Sequence, residues 1–213
     1  MRLKLLVCEI FYREISSLTA ESSHQIDVEF LPQELHAIGR VRMKNRLSEY
    51  LAAVNEDLYD AILLGYGLCS GGIAGLSTHK IPMVVPRAHD CITLFLGSRT
   101  RYQDYFFANS GTYFVTTGWF EQDNGLNYGI EMMPFYSKLA FIETGIEPDG
   151  TFEQRAKEAA EKRNWEFEKL TGDLSLLRRL INGDWNEDFL IVPPGKPIQH
   201  AYNDDVIKFP LDS

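Results

Sequence analysis

The chain has 213 residues, of which 45% are hydrophobic and 24% charged, and its formal net charge at pH 7 is −9. This composition is typical of a globular protein and excludes a disordered, collagen-like or coiled-coil chain. The acidic balance also argues against nucleic acid as a partner, because no basic excess is present to displace counterions from phosphates.

The amino-terminal stretch predicts a cytoplasmic protein. Its first apolar run is interrupted by Glu9, Arg13 and Glu14, which is too early for a secretory signal. No later segment approaches the roughly 18–20 apolar residues of a membrane span, so we expect no contact with a membrane. The 3 cysteines are then expected to be reduced thiols rather than a disulfide framework.

The first half of the chain alternates apolar runs with amphipathic stretches. Continuous apolar runs predict buried strands, and apolar residues spaced three and four apart predict helices. We expect strands within 2–8, 25–32, 59–67, 81–90 and 111–120, and helices within 9–22, 36–56 and 91–110, the last of them broken near Gly97. This order predicts an α/β fold with a doubly wound, mostly parallel sheet and helices on both faces, of the Rossmann-like or flavodoxin-like type.

The second half begins with a polar, glycine-containing stretch at 121–133, which indicates a loop or a boundary. Beyond it we expect helices within 134–145, 151–164 and 174–183, the last capped by Asp173, and strands within 165–172 and 188–195. We predict one α/β domain over 1–213. A subdivision at 121–133 is left open, with a smaller C-terminal α/β part at 134–192 and a tail at 193–213 that wraps over the surface.

Residues able to do chemistry follow the predicted strands. In an open α/β sheet, ligands bind at the carboxyl ends of the strands. The residues expected at this edge are Cys8 and Glu9 after the first strand, His36 after the second, Cys69 after the third, His89, Asp90 and Cys91 after the fourth, and Trp119 after the fifth. Taken alone, Cys8 is explained equally well as a small core residue.

A glycine-rich loop surrounds Cys69. Gly67, Gly71 and Gly72 lack side chains, so the backbone can turn tightly there and approach a ligand. We therefore expect these glycines, together with Trp119, to contact a bound cofactor or small molecule. The loop matches neither of the common phosphate-binding motifs, although its amides leave nucleotide or anion binding open.

The cysteines and histidines predict a metal site. Three thiolates with one or two imidazoles suit zinc, or a [4Fe-4S] cluster with an open corner. We expect the site to be built from Cys8, Cys69 and Cys91 and completed by His89 or His36, with zinc preferred over iron–sulfur. Asp90 and Glu9 are expected to orient ligands or to transfer protons beside the metal. The predicted function is a metal-binding protein, either a zinc-dependent enzyme such as a transferase or an accessory protein.

Other functions fit the same residues. Cys69 or Cys91 could be a nucleophile activated by His36 or His89 without a metal. The edge could instead hold a small ligand, a corrinoid or a metal for delivery to a partner enzyme without turnover. A third alternative is that the cysteines are only core residues. The sequence predicts a small molecule as ligand or substrate and leaves a homo-oligomer open.

Four blocks of the sequence, LGYGLCSGGIAGL, VVPRAHDCITLFLGSRTRY, GTYFVTTGW and QELH, resemble those of the prokaryotic family catalogued as domain of unknown function 1638. The resemblance spans most of the chain and implies little about activity. Some members are encoded near corrinoid-dependent methyltransferase systems, which implies a role in methyl-group metabolism and a corrinoid protein as a partner.

One local similarity bears on that role. Zinc-dependent corrinoid methyltransferases that alkylate a thiol use a His-x-Cys pair with a distant cysteine, and His89, Cys91 and Cys69 are residues of those types. Their order differs here, because the distant cysteine precedes the pair. The eight-stranded barrel of those enzymes also does not fit a chain of 213 residues, so the similarity is chemical.

Overall fold

A computed structural model of the protein describes residues 1–36, 38–122, 135–147 and 149–210. The strands are β1 (Arg2–Cys8), β2 (Gln25–Leu31), β3 (Ala61–Gly65), β4 (Met83–Pro86), β5 (Thr112–Thr116), β6 (Lys138–Glu143), β7 (Glu166–Thr171), β8 (Phe189–Val192), β9 (Gln199–His200) and β10 (Ile207–Lys208). The helices are α1 (Tyr12–Glu21), α2 (Arg40–Ala53), α3 (Cys91–Leu96), α4 (Arg99–Ala108), α5 (Thr117–Gln122), α6 (Thr151–Lys162) and α7 (Ser175–Asn182). Short 3₁₀ turns lie at Glu9–Phe11, Gln33–His36, Glu56–Leu58 and Cys69–Gly71.

The larger sheet has five strands in the order β2-β1-β3-β4-β8. The pairs β1–β2, β1–β3 and β3–β4 are parallel, and β8 runs antiparallel to β4. Every residue of β3 and β4 is buried, which explains their continuous apolar sequences, since a strand covered on both faces needs no polar side. The predicted α/β fold with a mostly parallel sheet is confirmed.

The prediction that the strand within 111–120 belongs to this sheet is wrong. Strand β5 pairs instead with β6, and β6 with β7, in a separate parallel sheet of three strands. The edge position beside β4 is occupied by β8, from far along the chain. Strand propensity marks a segment as extended but does not specify its partner, which is decided by how whole elements bury their apolar faces.

The helix predicted within 134–145 is also wrong, because this segment contains strand β6. Residues Leu139 to Ile142 are buried at the centre of the smaller sheet. A short apolar run has no distinctive period, so helix and strand cannot be separated by pattern alone. The predicted break at Gly97 is confirmed, since this residue has φ of 71° and lies between α3 and α4.

The beginning of α2 differs from the prediction by several residues. The sequence pattern starts a helix at 36, whereas α2 starts at Arg40, after Gly39 with φ of 83°. A left-handed glycine cannot continue a helix, so the preceding residues Gln33–His36 form a separate 3₁₀ turn. That turn places His36 beside the carboxyl end of the larger sheet.

The two sheets contact each other through α5 and the turn Glu9–Phe11. A Cβ atom on Gly118 would lie 1.8 Å from the carbonyl oxygen of Ile10, so this close approach requires glycine. The smaller sheet has its own apolar cluster, which includes Val115, Leu139 and Phe141. Of the boundary predicted at 121–133, residues 121 and 122 end α5, and the remainder lies outside the described residues.

The C-terminal tail is anchored to the larger sheet. Strands β9 and β10 pair antiparallel, and Val206 and Ile207 are buried. The Arg87 guanidinium donates hydrogen bonds to the carbonyl oxygens of Ile207, at 2.5 Å, and Asp205, at 3.0 Å. In the described ranges, no helix is both long enough and apolar enough to cross a membrane.

Candidate functional site

The glycine loop after β3 lies against the segment after β4. The amides of Leu68 and Cys69 donate to the carbonyl oxygens of Ala88 and His89 at 2.8 and 3.0 Å, which joins the two segments beyond the ends of the strands. A Cβ on Gly67 would lie 2.5 to 2.7 Å from backbone atoms of Asp90. Gly67 is therefore required by the approach of this chain's own backbone.

The other two glycines pack beside α2. A Cβ on Gly72 would lie 2.3 Å from the Met43 sulfur, and a Cβ on Gly71 would lie 2.9 Å from Arg40 Cδ. Gly71 has φ of 91°, a conformation that L side chains rarely adopt. It also lines a separate cavity of about 720 Å³ together with Arg40. The cofactor contact expected of these glycines stays a prediction.

Asp90 connects the loop after β4 to two helices. Its Oδ1 accepts hydrogen bonds from the amides of Ile92 and Thr93 at 3.0 and 3.2 Å, so Asp90 is the N-cap of α3. Its Oδ2 accepts a hydrogen bond from the Tyr102 hydroxyl at 2.8 Å. Burial raises the pKa of Asp90, and the three hydrogen bonds act against that rise.

A polar cavity of about 520 Å³ lies at this edge of the larger sheet. We use this name for the space lined by His36, Gly39, Arg40, Met43, Cys69, His89, Asp90, Cys91 and Tyr102. Five of these residues, His36, Cys69, His89, Asp90 and Cys91, are among those expected at the site from the sequence. The carboxyl ends of β2, β3 and β4 thus do converge on one space.

An aromatic cavity of about 420 Å³ adjoins the polar cavity. It is lined by Asp90, Cys91, Ile92, Tyr102, Phe106, Ser110, Thr112, Tyr113, Phe114, Trp119, Phe135 and Tyr136. Asp90, Cys91 and Tyr102 line both cavities and form the wall between them. Trp119, expected beside a ligand, does lie here, although it belongs to α5 rather than to the end of a strand.

Neither cavity is lined by Glu9 or Cys8. Glu9 Oε1 accepts a hydrogen bond from the Gln33 amide at 2.8 Å, which ties the end of β1 to the turn that carries His36. Cys8 is 1% exposed and belongs to the main apolar core. The acid–base role expected of Glu9 stays a prediction.

The three cysteines are free thiols. Burial raises the pKa of Cys8 to about 12, and it raises the pKa of Cys69 and of Cys91 as well. Each thiol is therefore protonated near pH 7. A cysteine nucleophile needs a depressed pKa, so this environment disfavours the alternative of thiol catalysis. Cys69 has φ of 47°, a rare conformation for a residue with a side chain.

The predicted metal-binding function is wrong. In the part of the chain that the structure describes, no group of three or more His, Cys, Asp and Glu side chains could hold a metal ion. This finding corrects the metal-binding function, as a zinc-dependent or an iron–sulfur protein, that was expected from Cys8, Cys69, Cys91, His89 and His36. The physical reason is placement, since Cys8 belongs to the main apolar core and the rings of His36 and His89 stack on Tyr66 and Tyr102.

The histidines have other contacts. His89 Nε2 accepts a hydrogen bond from Gln103 Nε2 at 3.2 Å, and its ring stacks on Tyr102. The His36 ring stacks on Tyr66, and its buried Nε2 has no hydrogen-bond partner among the described residues. Burial lowers the pKa of both imidazoles, so both are neutral near pH 7.

Sequence reasoning missed several lining residues, of which Tyr102 matters most. The structure places the rings of Tyr102, Phe106 and Phe114 along a cavity, and Phe106 is 43% exposed. The spacing of four between Tyr102 and Phe106, which puts both on one face of α4, was a usable signal. No pattern in the sequence indicates that Arg40 lines a cavity, because its position depends on where α2 begins.

Comparison with known proteins identifies a family. A family model described as "Protein of unknown function (DUF1638)" matches residues 30–181. This range contains the glycine loop, the His89-Asp90-Cys91 segment and all of α4. No curated protein and no solved structure matches the chain.

Proposed function

The chain belongs to the DUF1638 family, and we propose that it binds a small organic molecule, as ligand or substrate, at the carboxyl edge of its larger sheet. The observation that carries this proposal is the pair of adjoining cavities with a common wall of Asp90, Cys91 and Tyr102. Their volumes, about 520 and 420 Å³, lie in the range of small-molecule sites.

The topology supports the same location. The strand order changes direction at β1, which has β2 on one side and β3 on the other. We propose for the five strands a doubly wound arrangement of the Rossmann-like or flavodoxin-like type, and the order β2-β1-β3-β4 supports the flavodoxin-like form. In such sheets ligands bind outside the carboxyl ends of the strands near the change of direction.

The chemistry of the lining favours binding over thiol catalysis. Protonated thiols, neutral imidazoles and a hydrogen-bonded carboxyl group are donors and acceptors that can orient a ligand. The aromatic rings supply the apolar surface on which most of the affinity of a small molecule depends. The cytoplasmic location, the corrinoid protein as a partner and the oligomeric state expected from the sequence stay predictions.

A titration with indole, a planar uncharged probe, tests the proposal by ligand-detected NMR. We expect saturable binding that Ser110→Trp weakens at least about tenfold, equivalent to about 1.4 kcal/mol, because the new side chain fills part of the aromatic cavity. Ser110 is exposed and lines this cavity. Ala108→Trp is the matched control, because Ala108 is exposed nearby and lines neither cavity. Absence of saturable binding, or equal affinity in the two variants, contradicts the proposal.

A further inference from the structure

The described residues that line the aromatic cavity include one acidic side chain. Of the described residues that form it, Asp90 alone is ionisable at physiological pH, and the others are aromatic, aliphatic, thiol or hydroxyl side chains. Arg40, the cation of the polar cavity, does not line the aromatic cavity. A ligand in the aromatic cavity therefore meets a carboxyl group and ring faces.

Among the described residues, the Asp90 carboxyl group has no cationic partner. None of the ion pairs within the described residues includes it. Its three hydrogen bonds come from two amides and a phenol, which carry no formal charge. His89, the neighbouring titratable ring, is neutral near pH 7. A carboxylate removed from water and left without a counter-charge is costly, so a ligand that brings a positive charge gains from pairing with it.

The rings beside Asp90 favour the same kind of ligand. Tyr102 stacks on Phe106 with ring centroids 5.8 Å apart, and both rings line the aromatic cavity. Trp119 and Phe114 contribute further ring surface. The faces of aromatic rings are electronegative and attract organic cations, most strongly where water is excluded.

We propose that the aromatic cavity binds an organic ammonium ion, with its positive charge at the Asp90 carboxylate and its apolar body against the rings of Tyr102, Phe106 and Trp119. This inference rests on the proposed small-molecule site and specifies the chemical class of its ligand. Anions are disfavoured by the carboxylate and by the formal net charge of −9.

The test uses three probes of nearly equal shape: benzylamine, which is a cation at pH 7, benzyl alcohol, which is neutral, and benzoate, which is an anion. We expect benzylamine to bind at least about tenfold more tightly than benzyl alcohol, and benzoate not to bind, in calorimetric titrations. Asp90→Asn should lower the affinity for benzylamine to about that for benzyl alcohol. Asparagine is a good N-cap, so α3 should still form in this variant.

Asp104→Asn is the matched control, because Asp104 is exposed on α4 and lines neither cavity. It changes the net charge by the same amount and should leave all three affinities as in the wild type. Equal binding of benzylamine and benzyl alcohol, no binding of benzylamine, or a benzylamine affinity unchanged in Asp90→Asn would each overturn the inference. The indole titration tests the proposed small-molecule site separately, since indole carries no charge.

Discussion

The Tyr102 hydroxyl donates a hydrogen bond to Asp90 Oδ2 at 2.8 Å, and both residues line the polar cavity as well as the aromatic cavity. Asp90 caps α3, whereas Tyr102 lies in the first turn of α4. The left-handed Gly97 between the helices lets α4 turn so that Tyr102 reaches back to the start of α3. The position of Tyr102 in the site therefore depends on the break between the two helices.

Tyr102→Phe should destabilise the protein by about 1.5–3 kcal/mol, because it removes a hydrogen bond to a carboxyl group that has little access to water. Urea unfolding measures the loss. Tyr105→Phe is a matched comparison, since the Tyr105 hydroxyl donates to Glu168 at 2.6 Å but Glu168 also pairs with Lys138. We expect a smaller loss there. A Tyr102→Phe variant as stable as the wild type contradicts the account of this pair.

Gly67→Ala should lower the free energy of unfolding by about 1–3 kcal/mol, because the added methyl group would lie 2.5 to 2.7 Å from backbone atoms of Asp90. Neither segment can move away without breaking the hydrogen bonds that the amides of Leu68 and Cys69 donate. Thermal unfolding should show the loss as a lower Tm. Gly150→Ala provides the comparison, because a Cβ there has no heavy atom within 4 Å. Equal losses in the two variants would argue against a close approach at Gly67.

Between about pH 4.5 and about pH 7, the buried His36 and His89 should make the free energy of unfolding rise with pH, and Glu14 should oppose them with a falling slope. This side chain is 1% exposed, and burial raises its pKa to about 7. Its Oε1 accepts a hydrogen bond from Thr144 Oγ1 at 2.9 Å, and its Oε2 has no partner among the described residues. The folded state therefore binds the proton more tightly than the unfolded state, so its stabilising effect is full at low pH and is lost towards pH 7.

Glu14→Gln should remove most of that slope, since a neutral amide replaces the carboxyl group. Chemical unfolding at pH 8 should find the variant more stable than the wild type by about 2–3 kcal/mol, with a much smaller difference near pH 4. Glu161→Gln, at an exposed position on α6, is the control and should leave the profile unchanged. A wild-type slope in Glu14→Gln would show that other groups cause it.

The thiols should react slowly in the folded protein. Because burial raises the pKa of Cys8 to about 12 and raises that of Cys69 and Cys91, the thiolate fraction at pH 8 is small. We expect iodoacetamide to modify the native protein at least about a hundredfold more slowly than the protein unfolded in urea. Mass spectrometry of the labelled peptides identifies each site. Fast labelling of Cys69 or Cys91 in the native protein would contradict this prediction and would favour a cysteine nucleophile.

Part of the site follows from the sequence because parallel strands place their carboxyl ends together. That rule predicts that His36, Cys69, His89, Asp90 and Cys91 lie at one edge of the sheet, and all five line the polar cavity. It did not supply Tyr102, whose contact with Asp90 depends on the angle between two helices. Nor did it supply the protonation of the thiols, because a pKa depends on the packing around the group.

By itself, the sequence determined the α/β class, the strands β1 to β4 of the larger sheet and the break at Gly97, since apolar runs and a left-handed glycine act locally along the chain. Tertiary structure alone decided that β5, β6 and β7 form a second sheet and that β8 completes the first. It also decided that Cys8 lies in the apolar core, whereas Cys69 and Cys91 line the polar cavity. These outcomes depend on which distant surfaces exclude water from each other, and no local pattern encodes that choice.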